Sequence, residues 1–272
     1  HLVLIQERLL LNSYFWTTIV VLRYNSPISH LIGLFFYLDM NLFYTKDIIE
    51  PITTLSKDES KHIVRVLRKS KGDVVYFTDG LGYIFKCVIV EANPQNCTIE
   101  IVEKTKGEEE RDYNLHIAIA PTKNISRFEW FLEKSTEIGI DRIIPVICSH
   151  SERKEVKTER LNKVITSAMK QSLKSHQPEI AEKVSFMKLV DIPFEGEKFI
   201  AYISDDVSLE LSKAYTSGQN VIILIGPEGD FSPGEIELAI SKGYIPISLG
   251  TSRLRTETAG IVACHTINLL NS

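Results

Sequence analysis

Cysteine is scarce. The 272-residue chain has 4, at Cys87, Cys97, Cys148 and Cys264, and no CxxC pair. No Cys/His cluster has zinc spacing, so a disulfide scaffold and a zinc ribbon are excluded, no metal is expected, and reduced thiols in a cytoplasmic setting are. Positive charge is not in excess either. Lys and Arg number 31 against 35 Asp and Glu, a formal net charge of -4. Binding nucleic acid by bulk charge is therefore excluded, leaving only a local basic patch. G-x-S-x-G, H-E-x-x-H, G-x-G-x-x-G and the P-loop are all absent, which removes the commonest hydrolase, metalloprotease, dinucleotide and ATP signatures. There is no internal repeat and no low-complexity segment. With 44% hydrophobic and 24% charged residues the composition is that of an ordinary globular protein, long enough for one large domain or two small ones.

Residues 1–39 stand apart. The uncharged stretch 9–22 lies between Arg8 and Arg23 and is shorter than the roughly 18 residues a spanning helix needs. Neither the basic start nor the small-residue cleavage site of a signal peptide is clear. The segment reads as an upstream extension outside the fold, with Met40 as the expected start; a membrane or interface anchor is the alternative.

Residues 40–111 read as a small β domain. The runs NLFYT, DVVYFTDG, YIFKCVIVEA and CTIEIVEKT are β-branched and aromatic, with Asp79-Gly80 and Gly82 marking a hairpin turn. One helix interrupts them at residues 57–69, where Ile63, Val66 and Leu67 are expected on one face. Lys57, Lys61, Arg65 and Arg68 recur on another face, flanked by His62. Such a ridge suits a phosphate backbone, and a solvated helix face is the alternative. The charge run 106–112 reads as a connection.

Residues 112–272 alternate strand and helix. HIAIA (116–120), RIIPVI (142–147), KFIAYI (198–203), NVIILIG (220–226) and IPISLG (245–250) are short apolar runs of the kind buried on both faces of a parallel sheet. Ser126 with Glu129 predicts a capping box, with Gly139 as the stop. Leu161, Val164, Ile165, Ala168 and Met169 predict one buried stripe. Ser232-Pro233-Gly234-Glu235 predicts a second capping box with proline at the first helical position. A last helix runs from near Thr256 to near Leu270. Glu129, Glu133 and Glu137 read as an exposed helix face, and His265 as a satisfied core histidine.

The densest chemical signal is VIILIGPEGDFSPGE at 221–235, a buried strand entering a glycine-rich turn and then a capped helix. Ligands of open α/β sheets sit outside the carboxyl ends of strands. The next strand end, ISLGTSRLRTETA at 247–259, repeats the pattern, and the two loops are expected from neighbouring strands as two sides of one pocket. Ordinary strand-to-helix turns with solvated arginines are the alternative.

Read together, IGPEGDFSPGEIELAISKGYIPISLGTSRLRTETAGIVA, APTKNISRFEWFLEKSTEIGIDRIIPV, AMKQSLKSHQPEI and HIVRVLRKSKGD resemble the RsmE family. These are methyltransferases of the SPOUT superfamily that act on N3 of a uridine in 16S ribosomal RNA. The resemblance implies an α/β trefoil-knot domain with a parallel sheet over 112–272, preceded by a PUA-like β-barrel over 40–111. It implies S-adenosylmethionine as cofactor, held by Gly226, Pro227, Glu228 and Gly229 on one side and by Leu249, Gly250, Leu254, Thr258 and Ala259 on the other. It implies 16S RNA or the small ribosomal subunit as partner, a homodimer, no membrane, and RNA contacts at Lys61, His62, Arg65, Arg68 and Lys123. Arg255 is the expected source of positive charge for the uracil anion, and Glu257 or Glu228 the group that takes a proton or orients a ligand. Asp230 stands where the family has a second glycine. Another SPOUT methyltransferase of transfer RNA or a different ribosomal site, or a non-catalytic RNA-binding or assembly protein, stays open beside this reading.

Overall fold

Apolar residues at every second position between 74 and 106 produce three long antiparallel strands, β3 (Val74–Thr78), β4 (Tyr83–Glu91) and β5 (Thr98–Lys106). The computed structural model describes residues 41–46, 48, 51–107, 111–204 and 207–272, so residues 1–39 and what was expected of them lie outside the described residues. β1 (Leu42–Tyr44) joins β3 in parallel and β2 (Ile52–Thr54) joins β5, giving the order β1-β3-β4-β5-β2. Register shifts at Lys86/Cys87 and Ile89/Glu91 bend the long hairpin, as bulges do. The inward residues Phe43, Phe77, Phe85, Cys87, Ile89 and Ile99 make a core of their own. The hairpin turn is where the sequence placed it. Asp79 Oδ1 accepts from the amides of Leu81 (2.7 Å) and Tyr83 (3.3 Å), and Gly80 and Gly82 have φ of 75° and 99°.

The helix of this domain departs from expectation. Only α1 (Lys57–Lys61) is α-helical; His62–Val66 is a π turn, with Leu67 N donating to His62 O at 3.0 Å. A π turn inserts one extra residue, so later positions rotate by about 100°. Ile63 is therefore buried while Val66 is 64% exposed, and Val64 and Leu67 pack on the core instead. Arg68, at φ 54°, lies beyond the helix, so the basic ridge is not one regular helical face.

The second sheet is parallel. It runs β12 (Ile245–Ile247), β10 (Glu197–Ala201), β11 (Val221–Ile225), β6 (Leu115–Ile119), β7 (Arg142–Ile147) and β8 (Glu179–Ile180), with β9 (Val184–Ser185) also on β7. β8 and β9 were not foreseen; two residues leave no periodicity to read. Helices cover both faces. Against one lie α2 (Ile125–Ile138), α3 (Thr158–Gln171) and α7 (Thr256–Leu270), through Phe128, Phe131, Ile165 and Ile267; α5 (Leu211–Ala214) packs on α7. Against the other lie α4 (Phe186–Asp191) and α6 (Pro233–Ser241), through Phe186, Leu189 and Ala239. Val221, Ile223 and Ile225 face the first layer and Ile222 and Leu224 the second, which is why β11 reads as an unbroken apolar run.

Three details correct the sequence reading. The cap of α2 is Asn124, whose Oδ1 accepts from Ser126 N at 3.1 Å, while Glu129 is half-buried and pairs with Arg160. Glu133 and Glu137 are half-buried as well, both bound to Lys134 at 2.8 Å. His265 is exposed, because Ala263, Cys264 and Ile267 take the inward face of α7.

The two sheets meet along a seam. Ser175 O accepts from Thr78 Oγ1 (2.9 Å) and Gly82 N (3.0 Å), Gln177 N donates to Gly80 O (2.9 Å), and Lys170 Nζ reaches Glu59 Oε1 at 3.0 Å. The connection is anchored too, with Arg111 bonded to Asp141 at 2.7 Å.

Candidate active site

The site assembles at the carboxyl ends of the parallel strands. β11, buried along its whole length, delivers Gly226 and Pro227 buried, then Glu228 and Gly229 exposed. Gly226 is closely packed, since a Cβ there would lie 3.2 Å from the Phe231 ring. The turn closes with Asp230 N donating to Pro227 O at 2.9 Å, and α6 starts at the expected capping box, Ser232 with Glu235. Glu235 also accepts from Ser149 N at 2.8 Å, so this box ties α6 to the end of β7.

Neighbouring connections grip the turn. Glu228 Oε1 accepts from Lys123 N at 2.9 Å, which binds it to the β6–α2 loop. Arg153 braces that loop through Thr122 O at 3.0 Å and Lys123 O at 2.7 Å. From the far side Thr256, the first residue of α7, donates Oγ1 to Gly226 O at 3.1 Å. The loops 226–229 and 249–258 therefore do meet. They do not come from adjacent strands, because β10 lies between β11 and β12. The contact is made instead by the start of α7, after Ser248 has bonded to Leu209 O (2.8 Å) and Leu211 N (3.0 Å) of the β10–β11 connection.

Glu257 is the most telling side chain in the crevice. It is 4% exposed, sits 3.8 Å from Arg127 Nε, and its Oε2 has no hydrogen-bond partner among the described residues. A buried carboxylate oxygen without a donor is costly, so the arrangement calls for a ligand N–H or O–H. Arg255, the residue before α7, is exposed; Leu249, Leu254, Thr258 and Ala259 are half-buried; Gly250, at φ 117°, is open to solvent. Of the predicted RNA contacts, Lys61, His62, Arg65 and Arg68 lie exposed on the β domain. Lys123 is at the crevice instead, 2.7 Å from Glu152, which holds its ammonium above the usual pKa. The sequence reading missed Arg127, His150 and Arg153. Asn124 had a usable signal, an Asn just before an apolar-periodic run.

A family profile described as an RNA methyltransferase domain matches residues 109–268, and one described as an RNA methyltransferase PUA domain matches residues 55–102. The ribosomal RNA small subunit methyltransferase E of Synechocystis sp. is 30% identical over 83% of this chain and 75% of its own length. The chain belongs to the RsmE family. The Bacillus subtilis enzyme of the same name is 27% identical, covering 82% of this chain and 93% of its own. Two solved structures place this RsmE-family chain in the SPOUT α/β fold with an amino-terminal PUA-like domain. One, a "probable rRNA-methyltransferase" from Porphyromonas gingivalis, has a TM-score of 0.80 and 44% identity over 85% of this chain and 98% of that one. The other, a Legionella pneumophila methyltransferase in complex with the bound cofactor SAM, has a TM-score of 0.78 and 27% identity over the same shares. Among the described residues no helix is long and apolar enough to cross a membrane.

The crevice fits such a cofactor. Its unpartnered Glu257 oxygen suits an ammonium, hydroxyl or base N–H, and no atom lies within 4 Å of a Cβ built on Gly250.

Proposed function

We propose that this protein transfers a methyl group from S-adenosylmethionine to N3 of a uridine in 16S ribosomal RNA. The observation that carries this reading is the meeting of the 226–229 turn with the start of α7, where Glu257 is buried with one unsatisfied oxygen. Gly226, Pro227, Glu228 and Gly229 hold the cofactor on one side, and Leu249, Gly250, Leu254, Thr258 and Ala259 on the other. The bound cofactor supplies an activated methyl on a sulfonium.

The chain's own residues supply position and charge. Uridine N3 carries a proton and attacks poorly until that proton leaves. Glu228 Oε1 is already occupied by Lys123 N, so Glu257 Oε2 is the better acceptor for the N3 proton. Glu257 would take the N3 proton and pass it to water, while the methyl supplied by the cofactor would leave its sulfonium for N3, the S–CH3 bond breaking to give a neutral thioether. Arg255, exposed at the rim, stabilises the negative charge gathering on the uracil oxygens. The target edge is the pairing edge, so the uridine enters unpaired.

Residues 40–111 act as the RNA-holding module through Lys61, His62, Arg65 and Arg68, and Lys123 meets RNA at the crevice mouth; residues 112–272 carry the chemistry. Two such chains pair through the packed helices α2 and α7, which leave Trp130 and Leu269 44% and 61% exposed. Sedimentation of the purified protein checks the dimer. For the reaction, Arg255→Ala lowers kcat about 100-fold or more while leaving cofactor affinity near wild type. Single-turnover methylation of 30S subunits beside calorimetric titration separates the two. An equal loss of both would reduce Arg255 to a binding residue, and methylation of transfer RNA in place of 30S subunits would reassign the substrate.

A further inference from the structure

Asp230 is one of three described non-glycine residues with positive φ, at 60°, in the left-handed region. A side chain there costs energy unless something local holds it. Here every polar group of the residue is engaged. Its N–H donates to Pro227 O at 2.9 Å. Its Oδ1 accepts from Phe231 N at 2.8 Å, and its Oδ2 from Ile203 N at 3.2 Å, in the segment just after β10. Its carbonyl, and that of Gly229, each lie 3.0 Å from Nδ1 of His150, in the segment after β7. Both of those partners are acceptors, so Nδ1 is the protonated nitrogen and donates to the pair. A Cβ on Gly229 would approach His150 Cβ to 3.1 Å, so the imidazole is packed against the turn as well as bonded to it.

We infer that Asp230 and His150 are positioning residues, a latch that fixes the Gly226–Gly229 turn to the ends of β7 and β10 and so presets it for the cofactor. The inference rests on the proposed cofactor site. It gives Asp230 a definite role: both carboxylate oxygens are spent on backbone donors of the protein, so the residue orders the turn instead of placing a free anion beside a sulfonium. A bare glycine at 230 would accept the same φ but would leave the Ile203 amide untied and the turn free to sample other shapes.

The two views of Asp230 predict opposite signs. If the latch operates, Asp230→Gly weakens S-adenosylmethionine binding several-fold and Asp230→Ala about tenfold, since alanine loses the bonds and also resists the left-handed backbone. Asp230→Asn tolerates positive φ but keeps only one acceptor and turns its NH2 toward the other backbone amide, so it falls between wild type and Asp230→Ala. His150→Ala weakens binding, and His150→Asn, whose amide can replace the Nδ1 donor, restores it. The loss appears as a raised KM for the cofactor, and in Asp230→Ala it exceeds what the lowered thermal midpoint accounts for. Amide exchange at Ile203 speeds up in Asp230→Gly without ligand.

The experiment is calorimetric titration of S-adenosylmethionine into the full chain and these variants, with Gly229→Val as the control that blocks the turn. Asp230→Gly binding as tightly as wild type, or more tightly, overturns the latch. So does loss of affinity only in step with a lowered thermal midpoint. Failure of the wild type itself to bind sinks the cofactor site, and the latch's purpose with it; Ile203 exchange then still reports whether the tie exists.

Discussion

Gly260, in the middle of α7, has no room for a side chain. A Cβ there would lie 2.7 Å from Phe131 and 2.9 Å from Ile119, so α7 can approach α2 and β6 only with a bare backbone at this point. Gly260→Ala is expected to destabilise the protein by about 1–3 kcal/mol, read as a lower urea midpoint at unchanged slope. No sequence pattern announces this glycine, which sits mid-helix and gives no turn signal. The same blindness affected His265, assigned to the core because its neighbours are apolar. Cys264 was legible by contrast. It is fully buried, and burial pushes its thiol up to about 12, as expected of a small hydrophobe. Arg127 was invisible because only the fold brings a first-turn arginine of α2 over a first-turn glutamate of α7.

At the scale of elements, the capping box of α6 links local chemistry to the site. Burial raises the Glu235 pKa, but hydrogen bonds from Ser232 and Ser149 outweigh it, and the net shift is downward from 4.5. A carboxyl depressed on folding adds stability that is fully present above its unfolded value and is lost as pH falls through its folded value. Glu235→Gln should therefore cost about 1 kcal/mol at neutral pH, and the gap to wild type should close as the pH drops below about 4.5. Thermal melts of both proteins from pH 7 to pH 3 check this. The box was legible because Ser-Pro-Gly-Glu states its geometry within four residues. The parallel strands were legible for a similar reason, being apolar on both faces. The π turn after α1 was not: Ile63, Val66 and Leu67 fit an α-helical face on paper, and only competition for one small core decides that Val64 goes in and Val66 out. Strand order was equally hidden, so β11 and β12 were expected side by side where β10 intervenes.

At the scale of the whole molecule, the seam near Ser175 joins the antiparallel-sheet part to the parallel-sheet part. A Cβ on Gly107 would fall 2.0 Å from Ser175 Oγ, so Gly107→Ala should pry the seam open. The expected outcome is weaker binding of 16S RNA fragments with unchanged binding of S-adenosylmethionine, measured by filter binding and calorimetry on the same preparation. Equal affinity for RNA would mean the seam is dispensable for substrate. The change in residue pattern near residue 111 falls between the last strand of the antiparallel sheet and the first of the parallel one. The seam was not legible, because three of its bonds join backbone groups of Gly80, Gly82, Ser175 and Gln177 or end on one, and its side-chain partners, Thr78 and the Lys170–Glu59 pair, are far apart in sequence.

Those seam bonds turn the molecule into a caliper. In the proposed function one jaw is the exposed basic surface around Lys61 and Arg65, the other the turn and helix start beside Glu257, and the protein sets the gap between them. An RNA that fits must offer a backbone and an unpaired base at that single spacing. Under the proposed function, distance selects the target where base sequence does not, and a loose uridine presented at the wrong reach is predicted to go unmodified.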